Sequence, residues 1–273
     1  MGSIICMLNQ KGGVGKSSSC HHLAGTLARM GRRVLLIDND PQASLTQGFW
    51  GPEATRGIGR ARSVAALYDH ALAPIPEALI RPTGFDGVAI VPGSKHLTPY
   101  NMLPPEAWAE SERGMRDFLA ECADDFDVVL IDCPPNLHLC SRAALVAADY
   151  LVVPLQCEDY GAQGLEPVQE AMDAVRQGPN PALTLLGYLA TMYDKRLGIH
   201  LAYEALLREL YGPLVFAATF PLAKDFKEAV AARQPISHYK PKSAAAKAAK
   251  AVAEEILDRI AAGTQGLDAR RVA

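Results

Sequence analysis

Short apolar runs alternate along this chain with longer segments in which apolar residues recur every three to four positions. Ile4, Ile5, Cys6, Met7 and Leu8 form the first run. An apolar run without alternation predicts a strand covered on both faces. Leu23, Ala24, Leu27 and Ala28 follow at helical spacing, and Gly31 stands where that helix would stop. The strand signature returns at residues 34–37, 88–91, 128–131, 150–155 and 183–190. Helices are expected over 63–71, capped by Ser63, and over 106–123, with Trp108, Met115, Phe118 and Leu119 facing the core. Glu158 to Gly164 lead into another, which ends near Gly178, and 199–210 form the next. A last, alanine-rich helix spans about 243–262, capped by Ser243, with a short polar tail over 263–273. Prolines at 74, 76, 82, 92, 99, 104 and 105 break up the stretch before the second expected helix. Alternating β and α elements predict an α/β fold in one domain, a mostly parallel twisted sheet with helices on both faces.

Composition narrows the class. An apolar fraction of 49% over 273 residues is ample for one large core, and the net charge of -3 gives no overall basic excess. Any contact with nucleic acid must therefore rest on a local patch. The six cysteines contain no CxxC pair, the first residues lack the basic region of a secretory signal, and no apolar run is long enough to span a bilayer. A cytoplasmic protein with reduced thiols is expected.

The chemistry concentrates at residues 9–18, Asn-Gln-Lys-Gly-Gly-Val-Gly-Lys-Ser-Ser, between the first strand and the first helix. Gly12, Gly13 and Gly15 let the backbone curl so that N–H groups, including those of Val14 and Ser18, point at phosphate oxygens. The helix N-terminus adds free N–H groups and partial positive charge. Lys16 is placed to reach β- and γ-phosphates, and the Ser17 hydroxyl can ligate Mg²⁺. Two further apolar strands end in acid: Asp38-Asn39-Asp40-Pro41-Gln42 follows the second, and Asp132 closes 127–132. Carboxylates at the carboxyl ends of parallel strands lie on the ligand-binding edge, where they can hold Mg²⁺ through water or orient an attacking water. A pair of loop-capping acids is the structural alternative.

The usual phosphate loop has Gly five residues before Gly15, where this chain has Gln10, and Lys11 stands next to it. Lys-Gly-Gly-Val-Gly-Lys-Ser resembles the deviant Walker A motif of the ParA/MinD group of P-loop ATPases. Leu-Leu-Ile-Asp-Asn-Asp-Pro-Gln and Val-Val-Leu-Ile-Asp-Cys-Pro-Pro match the group's second signature and its Walker B and switch region. The resemblance, nearest to ParA-type partition ATPases, covers most of the chain. It implies that Lys11 is a signature lysine reaching the nucleotide of a partner subunit, that Asp40 serves hydrolysis, and that Asp132 and Asp38 hold Mg²⁺ with Ser17. Met192, in Thr-Met-Tyr-Asp-Lys-Arg, and Pro221, in Thr-Phe-Pro, would flank the adenine.

The same resemblance implies a homodimer formed on ATP, non-specific DNA binding by that dimer, and release on weak hydrolysis stimulated by a ParB-like or other cargo adaptor. Localisation would be cytoplasmic and nucleoid-associated. The cargo would be a plasmid, a chromosome origin or a protein assembly. Lys224, Lys227, Arg233, Lys240, Lys242, Lys247 and Lys250 face only Asp225 and Glu228 before Glu254, which is either an electrostatic footprint or a solvated face. The DNA contacts implied are Arg196, Lys224, Lys227, Lys247 and Lys250, with Asp225 standing where relatives often carry arginine. A MinD-like membrane-cycling regulator would need an amphipathic tail that this chain does not show, so no membrane contact is expected. A metal-cluster carrier or dethiobiotin-type synthetase would need a metal-binding cysteine pair or substrate motif. Iron–sulfur ligation by Cys133 and Cys140 lacks the expected pattern.

Overall fold

The computed structural model describes residues 2–109, 111–158 and 165–271, with side chains as far as 263. Among the described residues seven strands form one sheet: β1 (Ser3–Met7), β2 (Val34–Asp38), β3 (Arg81–Pro82), β4 (Val88–Val91), β5 (Val128–Asp132), β6 (Tyr150–Gln156) and β7 (Thr184–Thr191), in the spatial order β3-β4-β2-β5-β1-β6-β7. All pairings are parallel except the two-residue β3, which lies antiparallel to β4 at the edge. The eight longer helices are α1 (Lys16–Arg29), α2 (Ser44–Arg56), α3 (Gly114–Cys122), α4 (Leu139–Ala147), α5 (Glu166–Arg176), α6 (Gly198–Tyr211), α7 (Lys224–Ala231) and α8 (Ala244–Arg271).

Strand alternation divides the core into two layers. Ile4, Cys6, Leu35, Ile37, Val129 and Ile131 pack on one face with Phe118 of α3 and Leu139 of α4. Ile5, Met7, Val34, Leu36, Val128 and Leu130 pack on the other with Leu23 and Leu27 of α1, Phe226 of α7 and Ile256 of α8. Both faces are covered, so the strands carry no polar alternation, as the apolar runs require. From β1 the chain crosses over β5 to form β2, and later returns through β5 to the far side of β1. The direction of progress thus reverses at β1 and opens a crevice at its carboxyl end.

Three expected helices differ from those observed. Residues 63–71 hold only a 3-10 turn, Val64–Tyr68. The Ser63 hydroxyl meets Arg60 O and Ser94 Oγ instead of capping a helix, and the buried Tyr68 hydroxyl is drawn to Asn39 Oδ1 at 2.8 Å. The expected 106–123 helix begins at Gly114. The residues before it turn back so that the Trp108 indole N–H donates to Leu103 O, and a Cβ at position 114 would stand 2.0 Å from Leu67 O. The last helix is capped by Ser243, whose hydroxyl accepts the Ala246 N–H at 3.1 Å, but it runs on through the expected polar tail to Arg271. Of the lead-in at 158–164, residues 159–164 lie outside the described residues.

Candidate functional site

The phosphate-type loop lies at the carboxyl end of β1. Gly13 and Gly15 adopt φ of +78° and +82°, which a side chain would resist, and no side chain caps α1. The first-turn N–H groups of α1 therefore stay available to an anion. Two ties hold the loop to its neighbours. Asn9 accepts the Lys11 N–H at 2.9 Å and donates to Pro154 O at 2.8 Å. The Thr191 hydroxyl reaches Val14 O at 2.8 Å and Leu155 O at 3.0 Å. Lys16 curls back over the loop and donates to Asn9 O at 3.0 Å and Lys11 O at 3.1 Å. Burial pulls its pKa below the ordinary value, against the attraction of Asp132. Lys11 reaches the other way, to Glu158 at 4.0 Å.

Strand register puts the acids together. β2 and β5 pair with Asp38 opposite Asp132, both fully buried. Asp38 is clamped: its Oδ2 accepts the Thr46 N–H at 2.7 Å and the Thr46 hydroxyl at 2.6 Å. Gly93 backs it so closely that a Cβ there would lie 2.7 Å from its Cγ. Neither Asp132 oxygen has a well-formed hydrogen bond among the described residues. Burial, and the Asp38 charge opposite, hold the Asp132 pKa well above the carboxylate range; the nearby Ser17 hydroxyl pulls it down. Burial also pushes Asp38 up to about 7 against its Thr46 hydrogen bonds. Asp40, nearly buried, accepts the Gln42 N–H at 2.8 Å and is likewise raised by burial, with Lys16 opposing.

Two buried carboxylates, one without partners, beside a hydroxyl and an uncapped helix are a deficit that a cation repairs. Among the described residues no group of three or more His, Cys, Asp and Glu forms a metal cage. A divalent ion here would therefore take Ser17, water and ligand oxygens as inner ligands, with Asp132 and Asp38 outside them. That donor set suits Mg²⁺, which keeps several waters. All six cysteines are buried and free, with Cys6 and Cys133 Sγ 3.4 Å apart.

Next to the loop lies a cavity of about 460 Å³, lined by Gly15, Ser18, Met192, Phe220, Pro221 and Phe226 among others. Two segments build it. Tyr193 N–H donates to Phe220 O at 3.0 Å, Leu222 N–H to Tyr193 O at 2.9 Å, and Phe220 N–H to Ala190 O at 2.9 Å. These bonds hold Met192, at a left-handed φ of +50°, and Pro221 on the wall of an apolar slot beside the glycines.

A family model described as an AAA domain matches residues 2–185. The chromosome-partitioning ATPase Soj of Thermus thermophilus is 37% identical over 257 residues, 94% of this chain and 96% of its own. The chain belongs to the ParA family of partition ATPases. The ParA of Myxococcus xanthus, a chromosome partitioning protein, is 35% identical over 262 residues, 95% of this chain and 89% of its own. Among solved structures, the cobyrinic acid a,c-diamide synthase of Mycobacterium smegmatis, with bound ADP and magnesium, aligns at TM-score 0.76 and 28% identity. The match spans 96% of this chain and 97% of that one.

Within this ParA-family fold the loop residues, Asp38, Asp40 and Asp132 converge on one sheet edge, with Met192 and Pro221 on the adjoining cavity. Three of the five basic residues expected to meet DNA stand beside acids. Arg196 is held by Asp194 at 2.7 Å, Lys224 stands 3.7 Å from Glu228, and Lys250 pairs with Glu254 at 3.3 Å. Asp225 binds Lys240 at 2.8 Å. Lys227 borders the base-sized cavity, and Lys247 is exposed. Thr46, Gly93 and Thr191 were not singled out by the sequence, because each acts on a partner distant in the chain: Thr46 and Gly93 on Asp38, Thr191 on Val14. An isolated threonine or glycine carries no signal of that.

Proposed function

We propose that this ParA-family chain binds Mg²⁺·ATP and hydrolyses it slowly, with the base in the apolar slot and the phosphates on the glycine loop. The observation that carries this reading is the unpartnered, buried Asp132 carboxyl beside Ser17 at the uncapped start of α1. Lys16 exchanges its two loop carbonyls for phosphate oxygens, and the N–H groups of the loop complete the cradle. Mg²⁺ held at Ser17 and, through water, at Asp132 would neutralise charge on the β- and γ-phosphates. Asp40, close enough to the loop for the Lys16 charge to act on its carboxyl, orients the attacking water.

The ATP-bound chain pairs with a second copy, each Lys11 meeting the partner's nucleotide. The pair binds DNA without sequence preference until hydrolysis, stimulated by a cargo adaptor, releases it. It works in the cytoplasm on the nucleoid and moves plasmid, chromosomal or protein cargo. The family membership and the slot–loop–acid arrangement support this reading. The test compares two variants. Asp40→Ala should hold ATP and accumulate as an ATP-bound dimer with little phosphate release. Asp132→Ala should lose Mg²⁺-dependent ATP affinity itself. Parent-like turnover in the first, or parent-like Mg²⁺ dependence in the second, would remove these roles.

A further inference from the structure

Away from the nucleotide slot, one helix leaves an apolar side uncovered. Among the described residues eight large apolar side chains are exposed, and five of them, Leu197, Ile199, Leu201, Leu206 and Leu210, lie on α6 or at its N-cap, 42–60% exposed. Single apolar residues on a surface need no explanation, but a contiguous patch marks an interaction site. The inner side of α6 is firmly mounted. His200 and Leu207 are buried, the Tyr193 hydroxyl donates to Glu204, and Arg208 bonds Glu204 Oε1 at 2.7 Å and Phe216 O at 3.0 Å. On the outer side Ile199, Ala202, Leu206 and Leu210 recur every three to four residues and form one stripe along the helix.

We propose that this stripe pairs, without nucleotide, with the α6 stripe of a second copy, the two helices antiparallel about a two-fold axis near Ala202. Such a pairing needs a face that complements itself, and α6 has one. About that axis Ile199 of each helix meets Leu206 of the other, and the small Ala202 at the crossing lets the helices approach. The charges fit as well. Lys195, in the turn leading into α6, and Glu209, in its last turn, are exposed, and among the described residues neither has an ion pair. Each stands at the wrong end of its own helix for the helix dipole, a cation at the N-terminus and an anion at the C-terminus. Antiparallel pairing sets each beside its opposite and beside the helix end that favours it. A lipid surface suits this face less, because the exposed positions of α6 carry no lysine or arginine. The contact is separate from the proposed pairing of loops through ATP and does not rest on it. One helix from each copy is a small interface, so the pair should form only at about 10–100 µM protein.

Analytical ultracentrifugation of the full-length, nucleotide-free protein across that range tests the pairing. The parent should pass from monomer to dimer. Leu206→Gln should weaken the association at least about tenfold and keep the parental melting temperature and ATP affinity, since its side chain already faces solvent. Lys195→Glu and Glu209→Lys each bring like charges together and should each weaken it at least about threefold, while the double variant should return to the parent. Rescue by the swap requires the two residues to meet across the pair, which a change in the fold of one chain does not mimic. A parent that stays monomeric at the highest concentration, or pairs only when ATP is added, overturns the proposal and leaves a different protein as the occupant of this face. A dimer that Leu206→Gln leaves intact overturns it, and so does a double variant as weak as the single ones.

Discussion

Replacing Gly93 with alanine tests how the acid pair is held. Position 93 has an ordinary backbone conformation, so alanine costs nothing in φ. The obstacle is contact: its Cβ would stand 2.7 Å from Asp38 Cγ, 2.8 Å from Oδ2 and 2.9 Å from Oδ1. A free carboxylate would swing away, but Thr46 holds this one with two bonds of 2.7 and 2.6 Å. Either the β4 end moves or a Thr46 bond breaks. Overpacking of this kind costs about 1–3 kcal/mol, and a buried hydrogen bond to a charged group about 1.5–3. A loss near 3 kcal/mol lowers Tm by roughly 6–12 °C in a chain of this size. Shifting a group outside a metal's inner ligands weakens binding about 10–100-fold, so Mg²⁺-dependent ATP affinity should fall in that range. The control is Gly57→Ala, where the nearest atom is 3.8 Å away and φ is -82°, and which should lie within about 0.5 kcal/mol of the parent. Calorimetry with and without Mg²⁺·ATP reads both quantities. A Gly93→Ala protein that melts within a degree or two of the control and binds Mg²⁺·ATP like the parent would refute the clamp.

The remaining predictions follow from other parts of the site. Lys16→Ala removes the cation that spans the loop carbonyls and should bind ATP poorly in a titration; parental affinity would sink the loop assignment. Gly12→Val has room within the chain, since the nearest side-chain atom to a Cβ is Pro135 Cβ at 3.8 Å. It should therefore take up nucleotide yet stay monomeric, and a normal ATP-induced dimer in light scattering would remove the proposed pairing of two copies through their loops. The adjacent, buried His21 and His22 are both held neutral below their ordinary pKa by burial, His21 at about 4. The unfolded chain then takes up protons that the folded chain refuses, so their contribution is present above pH about 6.5 and is lost as pH falls toward 4. His21→Leu should gain on the parent by about 3 kcal/mol over that interval in urea unfolding, and a gap that stays constant with pH would contradict the burial argument.

Much of this was legible because strands buried on both faces leave uninterrupted apolar runs, and runs that end in acid mark the sheet's functional edge. β1, β2 and β5 were plain for that reason, and so was the loop between β1 and α1. Local pattern failed where a distant partner decides. Tyr68 is pulled into the core toward Asn39, and Gly114 must pass under Leu67 O, so two expected helices shortened to fit neighbours the pattern cannot name. The acid pair was visible as two aspartates, but its register, its clamp and its missing partner are facts of the sheet. For the basic stretch, composition counts lysines, whereas only the fold shows which of them stand beside an acid.

Lys11 illustrates what such neighbours mean for assembly. Its ammonium already has a counter-ion in its own chain, Glu158, with side chains 34% and 51% exposed. So loose a pair is worth about 0–1 kcal/mol. In the proposed dimer this lysine would not acquire a partner where it had none; it would trade one anion for another. Such a trade is nearly even against a carboxylate and strongly favourable only against the denser charge of a triphosphate. Two empty subunits brought together would gain little from these two lysines. If the chain pairs as proposed, giving up the half-exposed glutamate would cost no more than about 0–1 kcal/mol, so the charge on the nucleotide, and not the loss of that pair, would set what each lysine gains.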